Sequence, residues 1–372
     1  ADYLMSEPDL TSAFAKYEDE RRVEVLKLQS AARNSLEWFE DVHRYLGLDP
    51  VQFNYSLLTR SQRISHENLR LRDPDWLSSA EHWFQTRAGV PEDAPVRAPM
   101  FAPYALRKME LKNRIVVSPM AQYKAVEGRP TDWHFAHYAE RAKGGAGLIV
   151  TEMVSAHPGS AGNFPETPCA YLKENIPRFK KVTDGMHRYG ALAMLQVYQC
   201  GQHGSSTRET SIKPIYGFSA LPCVSVGETP KEMEIEDIKE IVEGFAVSSQ
   251  NAEEGGFDGV ELHGAHSYLL GQSMSPLFNR RTDEYGGSLD NRMRCPLEII
   301  ESIRAKTGPD FILGMRLNGD DLVEGGLTLE DSLEIAKRFE ALDMLDYLHI
   351  SAGAYHAIPV MVGPMEVPLG IY

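Results

Sequence analysis

Two imidazoles and a phenol stand close together in the run Glu261-Leu262-His263-Gly264-Ala265-His266-Ser267-Tyr268. The apolar stretch 259–262 reads as a short strand, so His263 falls at its end and His266 and Tyr268 follow in the loop. Donors gathered at one strand mouth can meet on a single carbonyl oxygen and stabilise negative charge that develops there. Two other readings of the pair stand beside this one. The histidines could ligate zinc, although no third ligand is apparent, or they could be core residues satisfied by the backbone.

The elements that must position these groups follow a regular order. Short apolar strands are expected at 114–117, 147–151, 192–198, 259–262, 311–317 and 347–350, with helices at 133–143, 178–188, 235–253, 292–306 and 329–342. Thr328, with Asp331 three residues on, suits the start of the last helix. Strands alternating with helices imply an α/β fold with a parallel sheet and crossover helices. A doubly wound sheet and a TIM (β/α)8-type barrel share that order. The barrel is favoured on two grounds. Ser118-Pro119-Met120 stands where a dinucleotide fold would carry a Gly-rich turn. Polar residues also sit at or near many strand ends: Glu152, Gln196, His263, Arg316 and Ser351. Six strands are countable where a barrel has eight, so the chain reads as a barrel truncated after strand six.

The first part of the chain has a different pattern. Phe14, Tyr17, Val25, Leu28, Ala32, Leu36, Phe39 and Val42 recur mostly at helical spacing, and Gly47 and Pro50 end the run. Such a stripe must pack on something. The stretch to about Gln85 is mixed, and Pro91, Pro95, Pro99 and Pro103 mark a linker. The expected organisation is a helical segment at 1–88, a linker at 89–103 and a barrel at 104–372.

A net charge of −15 argues against nucleic acid or an anionic membrane as partner. No apolar run is long enough to span a bilayer, and the first ten residues lack a signal-peptide pattern. Cys169, Cys200, Cys223 and Cys295 are scattered, which fits free thiols in the cytoplasm and neither a disulfide framework nor a metal site.

Longer motifs surround the histidines: Ser275-Pro276-Leu277-Phe278-Asn279-Arg280-Arg281 with Asp283-Glu284-Tyr285-Gly286-Gly287-Ser288, Asn113-Arg114-Ile115-Val116-Val117-Ser118-Pro119-Met120, His134 with His137-Tyr138, and 144–152. From about Phe101 onward this resembles the old yellow enzyme family of FMN-dependent oxidoreductases. The resemblance implies hydride transfer from NADH or NADPH, through FMN, to the activated C=C bond of a small molecule. It implies that Pro119, Met120 and Ala121 lie along the flavin. Gln196 would bind its pyrimidine end, and Arg316 would sit at the side where reduced flavin is negative, as a fixed cation there should. His263 and His266 would grip the substrate carbonyl, Tyr268 would donate a proton, and Tyr123 would wall the substrate pocket. Ala121 stands where relatives usually carry Cys or Thr, and Gln199 replaces a His common in one subgroup. If strands seven and eight are absent, so are the loops that frequently bind phosphate in this fold.

The N-terminal run of Leu10, Phe14, Tyr17-Glu18, Arg21-Arg22 and Ala31-Ala32-Arg33-Asn34-Ser35 is similar to the closing helix of FAD-dependent aromatic-ring hydroxylases. Together the two halves resemble part of the bifunctional salicylyl-CoA and anthraniloyl-CoA monooxygenase/reductase proteins. That implies an upstream FAD domain, aromatic compound degradation and a CoA-thioester substrate. The competing hypothesis is a non-catalytic truncated barrel that acts only within a larger assembly. Schiff-base chemistry is disfavoured because no Lys lies in the six expected strands. The oligomeric state stays open, with a homo-oligomer among the options.

Overall fold

A computed structural model describes residues 2–160, 166–206 and 214–358. The chain divides into two compact units, Ala1–Ala102 and Pro103–Tyr372.

The first unit is helical: α1 (Asp2–Ser6), α2 (Leu10–Glu40), α3 (Pro50–Thr59), α4 (His66–Arg72) and α5 (Pro74–Arg87). Asp9 caps α2 by accepting the Ser12 N–H at 2.8 Å. The stretch that looks mixed in sequence folds as three helices. Asp49-Pro50 and Asp73-Pro74 start two of them, each with an Asp cap and a proline in the first turn. A capping box of Ser65 and Asn68 starts the third. Only Ala13 and Trp38 of α2 are buried among the described residues, and Phe14, Leu28 and Leu36 are more than half exposed. Most of the expected apolar stripe is therefore uncovered.

The second unit opens with an antiparallel hairpin, β1 (Tyr104–Leu106) and β2 (Met109–Leu111), and continues with β3 (Val116–Val117), α6 (Asp132–Lys143), β4 (Leu148–Ser155), α7 (Ile176–His187) and β5 (Leu192–Tyr198). A two-residue ladder, β6 (Tyr216–Gly217) and β7 (Lys231–Glu232), precedes α8 (Ile235–Glu254) and β8 (Gly259–Gly264). Then come α9 (Leu269–Met274), α10 (Leu289–Lys306), β9 (Ile312–Asn318), α11 (Leu329–Ala341) and β10 (Tyr347–Ser351). Thr328 and Asp331 form the expected capping box of α11.

Among the described residues, six strands form one parallel sheet in the order β3-β4-β5-β8-β9-β10. Neighbours follow chain order with no switch point, which removes the doubly wound alternative, because that fold reverses its strand order. Side chains alternate between the two faces. Val260, Leu262, Leu313 and Met315 join helical residues such as Phe245, Ile299 and Phe339 in the main core. Leu148, Val150, Met194 and Ile312 of the other face pack on Leu106 and Leu111 of the hairpin. The hairpin was not foreseen from the sequence. It covers one part of the inner face, and the polar side chains of Gln196, Glu261, His263 and Arg316 occupy the rest.

Three strand limits differ from expectation by two residues or more; among them β8 runs on to Gly264, so His263 lies inside the strand rather than at its end. Only Val116 and Val117 of 114–117 join the ladder, and the Arg114 guanidinium sits over the Tyr104 ring at 4.9 Å. β4 runs on to Ser155 through an irregularity between Val150 and Met153. Glu152 is therefore inside a strand rather than at its end. The bulge reverses the alternation, and Met153 faces the tyrosines of the site below.

Candidate active site

Register explains why distant residues meet. His263 pairs with Arg316, and Arg316 with His349, so the three lie in one row across β8, β9 and β10. In another row Gln196 pairs with Glu261. Glu261 is fully buried; its Oε1 accepts from Gln196 Nε2 at 2.8 Å, and its Oε2 accepts from the Tyr347 hydroxyl at 3.1 Å and lies 3.0 Å from His349 Nδ1.

The loop after β8 bends sharply. His266 and Ser267 are consecutive left-handed residues, with φ of 57° and 54°. Each costs roughly 1–3 kcal/mol unless its surroundings enforce it. They are enforced here. The His266 N–H donates to Asn318 Oδ1 at 3.2 Å, Gln272 Nε2 donates to the Ser267 carbonyl at 2.6 Å, and Ser267 Oγ lies 3.0 Å from His203 Nε2. This bend brings the His266 ring to 5.1 Å from His263, nearly perpendicular to it, with Tyr268 4.8 Å from His263. The expected trio is thus assembled.

Hydrogen-bond partners set the histidine protons. Arg316 Nη2 donates to Ser351 Oγ at 3.2 Å, and Ser351 Oγ lies 2.6 Å from His266 Nε2. The serine proton is then free to go to Nε2, which leaves His266 with its own proton on Nδ1. His263 Nδ1 accepts the Ala265 N–H at 3.4 Å, which places the His263 proton on Nε2. Each ring keeps one N–H to offer. Burial, reinforced by the Arg316 charge, pushes His266 down to about 3. Burial, then His266 and Arg316, holds His263 well below the ordinary histidine value. Burial likewise raises the Tyr268 phenol, with Tyr355 and Tyr198 adding to the effect. The site therefore holds neutral donors across the physiological range.

The depressed histidines have a stability consequence. His203 is also pushed down to about 3 by burial. The folded chain keeps these rings neutral, while the unfolded chain takes up protons below about 6.5. Stability is fully present above that value and falls as pH drops towards 3, on the order of 1 kcal/mol per pH unit for each histidine. Between pH 6.5 and about 5 few carboxylates titrate even when unfolded, so that window reports mainly on the histidines, with His187, raised by its hydrogen bond to Asp258, opposing the three depressed rings. Thermal melts at pH 7 and pH 5 should show a lower midpoint at pH 5; equal midpoints would contradict the neutral assignment.

The cofactor-side residues lie nearby. Pro119 is buried, Met120 is exposed, and Ala121 packs against the cluster of Met153, Tyr198, Cys200 and Tyr268. The Gln122 N–H donates to Glu152 Oε2 at 2.7 Å, which ties this loop to β4, and Glu152 Oε1 lies 2.9 Å from His134 Nε2. Tyr123 is exposed at φ 52°. Arg316 Nε is buried and has no hydrogen-bond partner among the described residues; burial disfavours the Arg316 charge, which Glu261 opposes. A part-desolvated cation with a spare donor, separated by β8 from the strand that carries the buried amide of Gln196, fits a ring whose edge accepts hydrogen bonds and carries negative charge. An inner-face cavity of about 360 Å³ reaches Val116, Ser118, Glu261 and His349, but not His263, His266 or Tyr268.

Sequence reasoning assigned no role to Tyr355, His203 or Asn318, and treated Ser351 only as a polar strand end. Gln199, where a subgroup carries His, has its Oε1 on the Gly201 N–H at 2.5 Å. The imidazole of this region comes instead from His203, stacked 4.0 Å from the Tyr355 ring.

A family model described as the NADH:flavin oxidoreductase / NADH oxidase family matches residues 99–364. The chain belongs to this family. An NADH oxidase of Thermoanaerobacter brockii is 36% identical over 272 residues, covering 73% of this chain and 42% of that protein. An NADPH dehydrogenase of Listeria monocytogenes is 37% identical over 273 residues, covering 72% of this chain and 78% of that protein. A solved 2-naphthoyl-CoA reductase in complex with 2-naphthoyl-CoA matches with a TM-score of 0.66 and 30% identity, over 69% of this chain and 41% of that one. The chain thus spans less than half the length of the first and third of these. Membership in this family agrees with the resemblance to old yellow enzymes read from the sequence. No described helix is long and apolar enough to cross a membrane, and the four cysteines are free and buried.

Proposed function

We propose that this chain reduces a carbon–carbon double bond conjugated to a carbonyl group, with NADH or NADPH as reductant. The observation that carries this reading is the pair of neutral imidazoles, His263 and His266, beside the buried phenol of Tyr268. When bound, FMN supplies hydride transfer between the nicotinamide and the alkene, and Pro119, Met120, Ala121, Gln196 and Arg316 would hold its ring. The His263 Nε2–H and the His266 Nδ1–H donate to the substrate oxygen and polarise the alkene. Tyr268 gives its proton to the α-carbon. Tyr123 walls the substrate side. Anaerobic mixing of the reduced, FMN-loaded protein with an enone and with an unsaturated CoA thioester tests this; failure of both to reoxidise it would sink the reading.

A Tyr268→Phe variant isolates the proton. Alkene reduction should fall by about 10²-fold or more, the usual worth of a placed general acid, whereas an acceptor whose product needs no protonated carbon should be spared. If the variant matches wild type on a simple enone, another group supplies the proton.

The substrate class we infer is a CoA thioester derived from an aromatic acid. The likeness to a 2-naphthoyl-CoA reductase supports it, as does the helical first unit read as the end of an FAD hydroxylase. The six parallel strands are read as the first six of an eight-stranded barrel; the outer sides of β3 and β10 have no strand neighbour among the described residues. The free thiols support a cytoplasmic setting. Flavin analysis of the natural full-length protein separates these readings from a non-catalytic barrel: one FMN and one FAD per chain supports the fusion, and no flavin supports the alternative.

A further inference from the structure

Tyr268 is 4% exposed. Its hydroxyl has one described hydrogen-bond partner, the hydroxyl of Tyr355, at 2.9 Å. A buried phenol that gives up a proton at each turnover must recover one from water, and at 4% exposure Tyr268 has little direct access to bulk solvent. Tyr355, in the short turn after β10, is partly exposed.

Three contacts fix Tyr355 besides that hydroxyl. Its N–H donates to Ser267 Oγ at 3.1 Å. Its ring stacks on His203, with centroids 4.0 Å apart at 26°. It meets the Tyr268 ring edge-on at 5.7 Å. His203 is locked in turn, with Nε2 3.0 Å from Ser267 Oγ and Nδ1 3.1 Å from Cys223 Sγ. None of these restraints uses the Tyr355 hydroxyl. The ring is held in place by other means, and the hydroxyl is left to face Tyr268.

We propose that Tyr355 is a second proton carrier, which returns a proton from solvent to Tyr268 after each alkene reduction. This rests on Tyr268 as the proton donor. In the first transfer the Tyr268 O–H bond breaks and the α-carbon C–H bond forms, leaving a phenolate. In the second the Tyr355 O–H bond breaks and the Tyr268 O–H bond re-forms. Tyr355 then takes its proton from water. No electrons move in these transfers; the alkene is reduced by the nicotinamide-derived hydride. His203, stacked on the Tyr355 ring, acts as a positioning residue.

The test compares Tyr355→Phe with Tyr268→Phe in the FMN-loaded protein. Tyr355→Phe keeps the ring, the stacking and the Ser267 contact, and a thermal melt checks that it folds. Alkene turnover should fall about tenfold or more. The proton inventory in mixed H₂O and D₂O, curved for two protons in wild type, should become linear. Imidazole buffer, a small proton carrier, should restore part of the rate, which a merely structural defect would not allow. A Tyr355→Phe protein with wild-type turnover and a curved inventory overturns the relay while a slow Tyr268→Phe keeps the functional reading. A Tyr268→Phe protein as fast as wild type overturns both.

Discussion

His263→Ala and His266→Ala should each slow alkene reduction by roughly 10²-fold, while reduction of the bound flavin by NAD(P)H changes far less. Each ring has one nitrogen occupied by a fixed partner, Ser351 for His266 and the Ala265 N–H for His263, and therefore presents the other as a donor. Loss of one such donor to a developing oxyanion costs roughly 3 kcal/mol of transition-state stabilisation. Both rings are neutral far below pH 6, so the wild-type alkene step should show no histidine inflection near 6.5. The two effects should not add in the double variant, because the rings act on one atom and lie 5.1 Å apart. Stopped-flow measurement of the two half-reactions checks all of this. Small, equal effects on both would remove the histidines from the oxyanion role.

Much of the sheet was legible because its strands are short apolar runs and its helices carry caps. The strand at 192–198 has the expected limits, and Thr328 with Asp331 starts α11 as read. What the sequence hides is register. Nothing in one dimension places His263, Arg316 and His349 in one row, or Gln196 against Glu261. The bulge in β4 is likewise invisible, because Thr151 and Glu152 read as the end of an apolar run, yet it decides that Glu152 anchors the 119–122 loop instead of closing a strand. Tyr355 was missed because its partner is 87 residues away and its own neighbourhood carries no chemical pattern. The first unit was under-read for a different reason. Its Asp-Pro starts are clear signals, but the helices after them are short and weakly striped, so periodicity alone did not reveal them.

Replacing Arg316 with Met should separate cofactor binding from folding. Arg316 is a group that folding leaves under-satisfied. Among the described residues its Nε is buried without a hydrogen-bond partner and its Nη2 reaches Ser351 at 3.2 Å, and burial disfavours its charge. Glu261, the anion that opposes this, keeps Gln196, Tyr347 and His349 as neighbours without it. A buried, under-partnered cation costs stability, and an apolar replacement of similar shape removes that cost. The flavin-free variant should therefore melt no lower than the flavin-free wild type. FMN affinity should move the other way. A hydrogen bond to a charged group contributes about 1.5–3 kcal/mol, so the dissociation constant should rise about 10- to 100-fold in a fluorescence titration. Ser351 still contacts His266 in the variant, so the histidine pair keeps its geometry and the loss can be read as a loss of ring binding. A variant that binds FMN as tightly as wild type would show that Arg316 does not face the flavin. One that binds weakly and also melts far lower would mean that Arg316 is a structural ion-pair partner of Glu261 instead.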